Sequence, residues 1–184
     1  ETEINPGDVL LAHEPISKEG AVALWHMDEG QGTTITDSSS NGNTGTIYGA
    51  TWADGKFGKA LSFDGVDDYI VKSPLPSSLQ PVRITISLWM KPGPSWQGGV
   101  GQYDYIIDTN SDTSTAGYTI QTGDDGLYTT LGNIVQDQFT SFIFSRGIWY
   151  HIVLTYDGGN MITYIDNIER TRTAATGNIG YSGG

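Results

Sequence analysis

Closely spaced turn residues limit what this chain can fold into. Glycine occurs 25 times in 184 residues, and it clusters with Asn, Ser, Thr and Asp between short runs rich in Val, Ile, Thr and aromatic residues. Short runs of this kind, bounded by turn residues, are typical of β-strands. No long run has the apolar spacing of a helix. The pattern predicts an all-β fold of ten or so short strands in two packed sheets.

The predicted strands are the runs in which apolar and polar residues alternate best. They cover 21–25, 60–63, 69–72, 84–90, 103–108, 118–122, 127–131, 139–144, 149–156 and 161–165. Several dipeptides place Gly where a tight turn requires a positive φ angle. They are Asn41-Gly42, Asp54-Gly55, Asp64-Gly65, Asp125-Gly126 and Asp157-Gly158.

Composition and charge exclude several classes of function. The chain carries 9 Lys and Arg against 21 Asp and Glu, a formal net charge of -12. This charge repels nucleic acid and anionic lipid, and it favours divalent cations or neutral partners. There is no cysteine for a disulfide framework, and no apolar run approaches the roughly 20 residues of a membrane span. We therefore expect no nucleic-acid partner and no membrane span.

Four segments carry motifs that occur in the same order in a known family. They include Ala21-Val-Ala-Leu-Trp25, Phe63-Asp-Gly-Val-Asp-Asp-Tyr69, Ile84-Thr-Ile-Ser-Leu-Trp-Met90 and Trp149-Tyr-His-Ile-Val-Leu-Thr-Tyr156. In these motifs the chain resembles the laminin-G-like jelly-roll domains of the concanavalin-A-like superfamily. The resemblance implies a two-sheet antiparallel jelly-roll sandwich over residues 21–184. Residues 1–20, with their Pro and charged residues, are expected to form an N-terminal arm or linker.

The resemblance also implies an incomplete sheet at the C-terminal end. Family members continue beyond the segment that corresponds to 173–180 with a further strand and a closing strand that carries an Asp. Here the last one or two strands have no counterpart, so either the chain is truncated or another chain supplies the edge. A short apolar run in the arm would suit strand donation to a neighbouring copy; the residues concerned are Val9, Leu10, Leu11 and Ile16.

Catalytic motifs are absent or incomplete. Glycosidases of this superfamily resemble one another in a Glu-x-Asp-x-x-Glu strand, whose spacing places carboxylates on one face. That motif is missing, and the adjacent Asp28 and Glu29 would point to opposite faces of a strand. The segment 180–184 matches a nucleophile-elbow string but has no Asp or His downstream. We therefore expect a non-catalytic domain.

Clusters of side-chain oxygens make calcium the cofactor to expect, since hard cations take carboxylate, amide and backbone oxygens. One cluster consists of Asp108, Asn110 and Asp112, and the alternative for it is a polar turn. The second consists of Asp28, Asp37, Asn41 and Asn43. In the family, the second segment often helps to hold a structural calcium ion, together with the closing-strand Asp. The acidic group at 64–68 is expected to act mainly as a tight turn.

Trp96 and Tyr103 are the candidate ligand-binding residues. They lie in a Gly/Pro-rich loop over 92–103, where exposed rings would stack on a sugar or a partner. The alternative is a loop that packs onto the sandwich.

Two functions remain open from the sequence. The chain is either an extracellular or cell-surface module that binds a glycan or surface protein, or a structural subunit of a filament joined by N-terminal strand donation.

Overall fold

The fold is built almost entirely from short strands. The computed structural model describes residues 20–94, 96, 104–109, 116–123 and 125–181. Within that part of the chain, no helix is long and apolar enough to cross a membrane. The strands are β1 (Thr34–Ile35), β2 (Gly45–Tyr48), β3 (Thr51–Asp54), β4 (Lys59–Ser62), β5 (Tyr69–Val71), β6 (Ile84–Met90), β7 (Asp104–Asp108), β8 (Tyr118–Gly123), β9 (Gly126–Leu131), β10 (Val135–Ser141), β11 (Tyr150–Tyr156), β12 (Asn160–Ile165) and β13 (Ile168–Ala174).

Two four-stranded antiparallel sheets form the body of the domain. Sheet I has the order β10-β9-β8-β7, and sheet II has the order β13-β12-β11-β6. A smaller sheet of β1, β2 and β5 and the β3–β4 hairpin complete the described fold. The core lies between the two sheets, and its most buried side chains are Ile120, Leu127, Leu131, Ile152, Leu154, Met161 and Ile165. The predicted all-β jelly-roll sandwich is confirmed.

The two sheets differ in how their central strands are buried. In β11, residues alternate strictly between buried and half-buried positions, so Ile152 and Leu154 face the core and their neighbours do not. In β8, every residue is buried. Ile120 faces the core, while Thr119 and Gln121 project from the opposite face and are buried there as well. Polar side chains on the outer face of sheet I are therefore shielded from solvent.

Some strand predictions were wrong. The run 21–25 forms no strand, and Trp25 makes a single bridge to Asp37. The predicted strand 139–144 instead spans Val135–Ser141, with an irregularity that breaks its alternation. Strands β1, β2, β3 and β13 were not predicted. The edge strand β13 is mostly exposed, so its sequence has no buried face to reveal it.

Turn predictions were partly correct. Positive φ angles are confirmed at Gly42, Gly65 and Gly158. The prediction was wrong at Gly55 and Gly126, where φ is not in the left-handed region. A Cβ atom at either position would run into a backbone carbonyl of the neighbouring strand. These two glycines are therefore required for close approach of the backbone rather than for a special turn conformation.

Candidate ligand-binding cleft

A row of four side chains crosses the outer face of sheet I. Tyr105 of β7 lies opposite Gln121 of β8, and Gln121 lies opposite Tyr128 of β9. Tyr128 in turn lies opposite Phe139 of β10. Directly opposed residues of antiparallel strands project from the same face of the sheet. With strands about 4.8 Å apart, the row is about 14 Å long, which suits an elongated ligand better than a single ion.

The row forms one wall and the floor of a cleft. Its described lining residues are Tyr105, Gln121, Tyr128 and Asp137, and its volume is about 280 Å³. Clefts that hold small ligands begin at about 300 Å³, so this one is slightly smaller than that range. Tyr105 at the rim is 61% exposed, whereas Gln121 at the floor is 8% exposed. The Tyr128 and Phe139 rings pack with centroids 5.0 Å apart, which restrains Tyr128 beside the floor.

Gln121 carries an unpartnered acceptor at the floor of the cleft. Its Oε1 atom is buried and accepts no hydrogen bond. Leaving a buried acceptor unpaired costs about 1–3 kcal/mol, and few native groups are left so. Two other described hydroxyl oxygens, on Thr140 and Thr163, also lack partners, but these residues lie opposite Leu127 and Leu154 and so face the core. The Gln121 carbonyl is therefore a buried acceptor without a protein partner, in a residue that lines the cleft.

Asp137 reaches the cleft because of a bulge in β10. The β9–β10 register shifts between Val135 and Gln138, and Asp137 has a φ angle of 46°. This left-handed conformation is unfavourable for a residue with a side chain, and bulges of this kind redirect side chains. The hydroxyl of Thr130 donates to Asp137 Oδ1 at 3.3 Å, and the Asp137 N–H donates to Thr130 Oγ1 at 3.2 Å. The carboxylate is thereby fixed at the cleft wall.

Asp108 is placed on the same face as the cleft. It lies opposite Thr119, which lies opposite Thr130, so these residues form a second row beside the first. Asp108 was predicted as a calcium ligand together with Asn110 and Asp112. Those two partners lie outside the described residues, so this cluster stays a prediction.

Asp37, which follows β1 and bridges to Trp25, is the centre of a second polar site. Its Oδ1 atom accepts hydrogen bonds from the N–H groups of Leu24 (2.9 Å) and Ser39 (2.8 Å). Its Oδ2 atom accepts from the Ser39 hydroxyl and the Asn43 N–H, both at 2.7 Å. Four donors thus occupy the roughly four lone-pair sites of the carboxylate. We call Leu24, Asp37, Ser39 and Asn43 the Asp37 clasp.

The clasp keeps its carboxylate ionised. Burial acts to raise the pKa of Asp37, but hydrogen bonds from Leu24, Ser39 and Asn43 outweigh it and hold the pKa below the ordinary value of 3.8. Hydrogen bonds to the charged form of an acid favour that form. A calcium ion bound directly at Asp37 would have to displace these donors.

The other residues of the second predicted calcium cluster also have local roles. The Asn43 side-chain amide donates to the Val22 carbonyl at 2.8 Å, and the Asn41 amide donates to the same carbonyl at 3.1 Å. Glu29 accepts a backbone hydrogen bond through Oε1, and Asp28 is exposed. Asn41 and Asn43 therefore fasten the first described segment to the sandwich, and a metal-binding role for this cluster stays a prediction.

A third polar cluster consists of three carboxylates that lie close together. Ligand atoms of Asp64, Asp67 and Asp68 all lie within 4.8 Å of one another. The Asp64 N–H donates to Asp68 Oδ2 at 2.8 Å, which tightens the turn. Gly49 has a φ angle of 76°, and a Cβ atom there would collide with the Asp68 carboxylate. The remaining oxygens have the chemistry that calcium prefers. The sequence predicted mainly a turn here, and the turn is what brings the carboxylates together.

The predicted ligand residue Trp96 packs on the core. Its ring is half-buried and meets the Phe144 ring edge-on, with centroids 6.2 Å apart. Core packing accounts for this ring, and stacking on a ligand stays a prediction. Tyr103 and the proposed donor arm (Val9, Leu10, Leu11 and Ile16) lie outside the described residues.

The cleft itself was missed by sequence reasoning, although its residues lie within or beside predicted strands. Alternation placed Tyr105, Gln121 and Tyr128 on one face of each strand. Which faces coincide depends on the register between strands, and the sequence does not give that register.

Comparisons with known proteins agree with this architecture. A family model for laminin-G domains matches residues 64–184, which is about two thirds of the chain. The model is described as the concanavalin A-like lectin/glucanases superfamily. Among curated proteins, none matches the sequence.

Solved structures that are similar to this chain include the following two. One is domain 4 of AbnA, a GH43 extracellular arabinanase from Geobacillus stearothermophilus, which was solved in complex with arabinotriose. It is 20% identical in sequence with a TM-score of 0.56, and the alignment covers 80% of this chain and 73% of that chain. An S-layer domain-containing protein from Clostridium thermocellum is 19% identical, with a TM-score of 0.46 and coverages of 82% and 71%. The first likeness shows a shared fold. Because the matched family segment contains every strand of sheets I and II, the chain belongs to the concanavalin A-like lectin/glucanases superfamily, as a laminin-G-like domain.

Proposed function

We propose that this domain is a non-catalytic module that binds a glycan in the cleft of sheet I, outside the cell or at its surface. The observation that carries the proposal is the unpartnered Gln121 Oε1 atom at a floor flanked by Tyr105 and Tyr128. Sugars present apolar C–H faces and hydroxyl donors. Tyrosine rings suit the former, and a buried amide oxygen suits the latter.

The comparisons support this proposal at the level of the fold. The matching family is described by its lectins and glucanases. Domain 4 of the arabinanase, which shares the fold, was solved with arabinotriose. Arabino-oligosaccharides are therefore the first ligands to test.

The sequence favours binding over hydrolysis. The Glu-x-Asp-x-x-Glu strand of the superfamily's glycosidases is absent from this chain. Asp108 and Asp137, the two acidic residues placed on the outer face, belong to strands at opposite edges of sheet I.

Calcium is proposed as a stabilising ion rather than as part of the cleft. The carboxylates of Asp64, Asp67 and Asp68 converge closely enough to share a cation, and the family resemblance favours calcium. The Asp37 carboxylate is a weaker candidate because four protein donors already occupy it. The alternative function, a filament subunit joined by its N-terminal arm, stays a prediction.

A glycan panel with paired tyrosine variants tests the glycan-binding proposal. Immobilised arabinan, galactan, xylan, mannan, cellulose and chitin oligosaccharides are probed with the wild-type domain, Tyr105→Ala and Tyr48→Ala. Tyr48 is a matched control, since it is 47% exposed but belongs to the small sheet. We expect at least one glycan to be retained and Tyr105→Ala to weaken binding about tenfold. No retained glycan, or equal binding by all three proteins, would overturn the proposal.

A further inference from the structure

We infer that the cleft selects uncharged glycans and rejects those that carry carboxylate or sulfate groups. This inference rests on the proposed function and adds the chemical class of the ligand. Its basis is the distribution of charge and of hydrogen-bonding groups around Gln121, which differs from that of the rest of the domain.

Every charged residue in the part of the chain that builds the cleft is acidic. Residues 92–145 contain all four strands of sheet I, and they include no Lys, Arg, His or Glu. Their charged residues are Asp104, Asp108, Asp112, Asp124, Asp125 and Asp137. This segment thus contributes six negative charges and no positive one, and three of the six, Asp104, Asp108 and Asp137, lie in the strands of sheet I.

Five of the nine Lys and Arg side chains make ion pairs or lie over aromatic rings, and all five belong to residues outside sheet I. Lys59 pairs with Asp54 in the β3–β4 hairpin, and Arg172 pairs with Glu169 on β13. Three others lie over aromatic rings: Lys56 over Trp89, Lys91 over Trp149 and Arg170 over Phe142. No strand of sheet I supplies a cation that could pair with an anionic ligand.

The polar groups of the cleft also favour a donor over an anion. Gln121 Oε1 is an acceptor, and Asp137 presents a carboxylate. A sugar hydroxyl can donate to both groups, whereas the oxygens of a carboxylate or sulfate are acceptors only. An anionic group would meet a like charge in a partly desolvated site, where repulsion is stronger than in water. Charge repulsion and hydrogen bonding therefore both favour a neutral glycan over an anionic one.

Derivatives of one glycan test the selection directly. The neutral glycan with the highest affinity in the panel is compared with its carboxymethyl derivative and with its hydroxyethyl derivative, which adds similar bulk without charge. Affinities are measured by calorimetry in chelator at low and high salt. We expect the carboxymethyl form to bind at least tenfold more weakly than the hydroxyethyl form at low salt, with a smaller difference at high salt.

The Asp137→Asn variant tests whether the cleft is responsible for the discrimination against charged glycans. The amide keeps an acceptor for the Thr130 hydroxyl but removes the charge. We expect the difference between the two derivatives to shrink about threefold to tenfold. Asp54→Asn, in the β3–β4 hairpin, is the matched control and should leave the difference unchanged.

The outcomes separate this inference from the proposed function. Equal or tighter binding of the carboxymethyl form, or an Asp137→Asn variant with the wild-type difference, overturns the charge selection while glycan binding stands. Absence of binding by every glycan overturns both.

Discussion

Asp37 and Gln121 are equally buried, each 8% exposed, but their oxygens have opposite surroundings. The carboxylate of Asp37 accepts four hydrogen bonds from its own chain. The amide oxygen of Gln121 accepts none. The oxygens of Asp37 are satisfied by the protein's own donors, whereas the amide oxygen of Gln121 has no protein partner.

We interpret this difference as one between a structural role for Asp37 and the proposed binding role for Gln121. A satisfied buried network rigidifies the fold, and the Asp37 clasp ties the first described segment to the sandwich. An unsatisfied buried acceptor costs stability, and such a cost is tolerated where a ligand offsets it. Stability and binding should therefore respond in opposite ways to substitutions at the two sites.

The largest expected effect is a loss of stability at the clasp. Asp37→Ala removes the acceptor of four hydrogen bonds and leaves buried N–H groups unpaired, so the free energy of unfolding should fall by about 3 kcal/mol. Asp37→Asn should cost less, because its amide oxygen can still accept. Urea unfolding measures both variants. A loss below about 1 kcal/mol for Asp37→Ala would show that the clasp is not a major structural element.

The next effect is a loss of binding at the cleft floor without a loss of stability. Gln121→Met keeps the side-chain volume but removes the acceptor. Affinity for the best neutral glycan should fall at least tenfold, because a ligand hydroxyl loses its partner. The free energy of unfolding should stay the same or rise by about 1 kcal/mol. A variant that binds normally and is less stable would give Gln121 a structural role instead.

The loss of stability at low pH should depend on Asp37 but not on Gln121. The folded-state pKa of Asp37 lies below 3.8, because burial raises it less than the clasp hydrogen bonds lower it. A depressed carboxyl pKa adds stability that is present above the unfolded-state pKa and is lost as pH falls through the folded-state pKa. Unfolding measured from pH 5 to pH 2 should show a smaller acid loss in Asp37→Asn than in wild type. Gln121→Met should retain the wild-type acid loss, since that side chain does not titrate.

Calcium should have the smallest effect. An ion bound only by the folded state, at twice its dissociation constant, adds about 0.6 kcal/mol of stability. For a domain of this size that corresponds to a rise of about 1–2 °C in the melting temperature. Asp64→Asn should abolish the rise, and Asp54→Asn should retain it. Identical melting in calcium and in chelator would contradict a stabilising calcium ion.

The sequence predicted the fold better than the sites. Ile84–Met90 was predicted with its observed bounds because β6 alternates clearly. The Asp37 and Asn43 cluster was noticed, but the sequence does not show that backbone N–H groups compete with calcium for the same oxygens. The cleft was missed because Tyr105, Gln121 and Tyr128 meet only through strand register. The missing partner of Gln121 Oε1 is a tertiary property that no local pattern encodes.

The most direct test is a titration of the isotope-labelled domain with arabinotriose, and then with the other panel oligosaccharides, followed by NMR. We expect the signals of the Gln121 side-chain amide and of the Tyr105 and Tyr128 backbone amides to shift with one saturation curve. The clasp amides of Leu24, Ser39 and Asn43 should not move. Shifts centred on the clasp or on Tyr48, with sheet I unchanged, would contradict the assignment of the cleft as the glycan site.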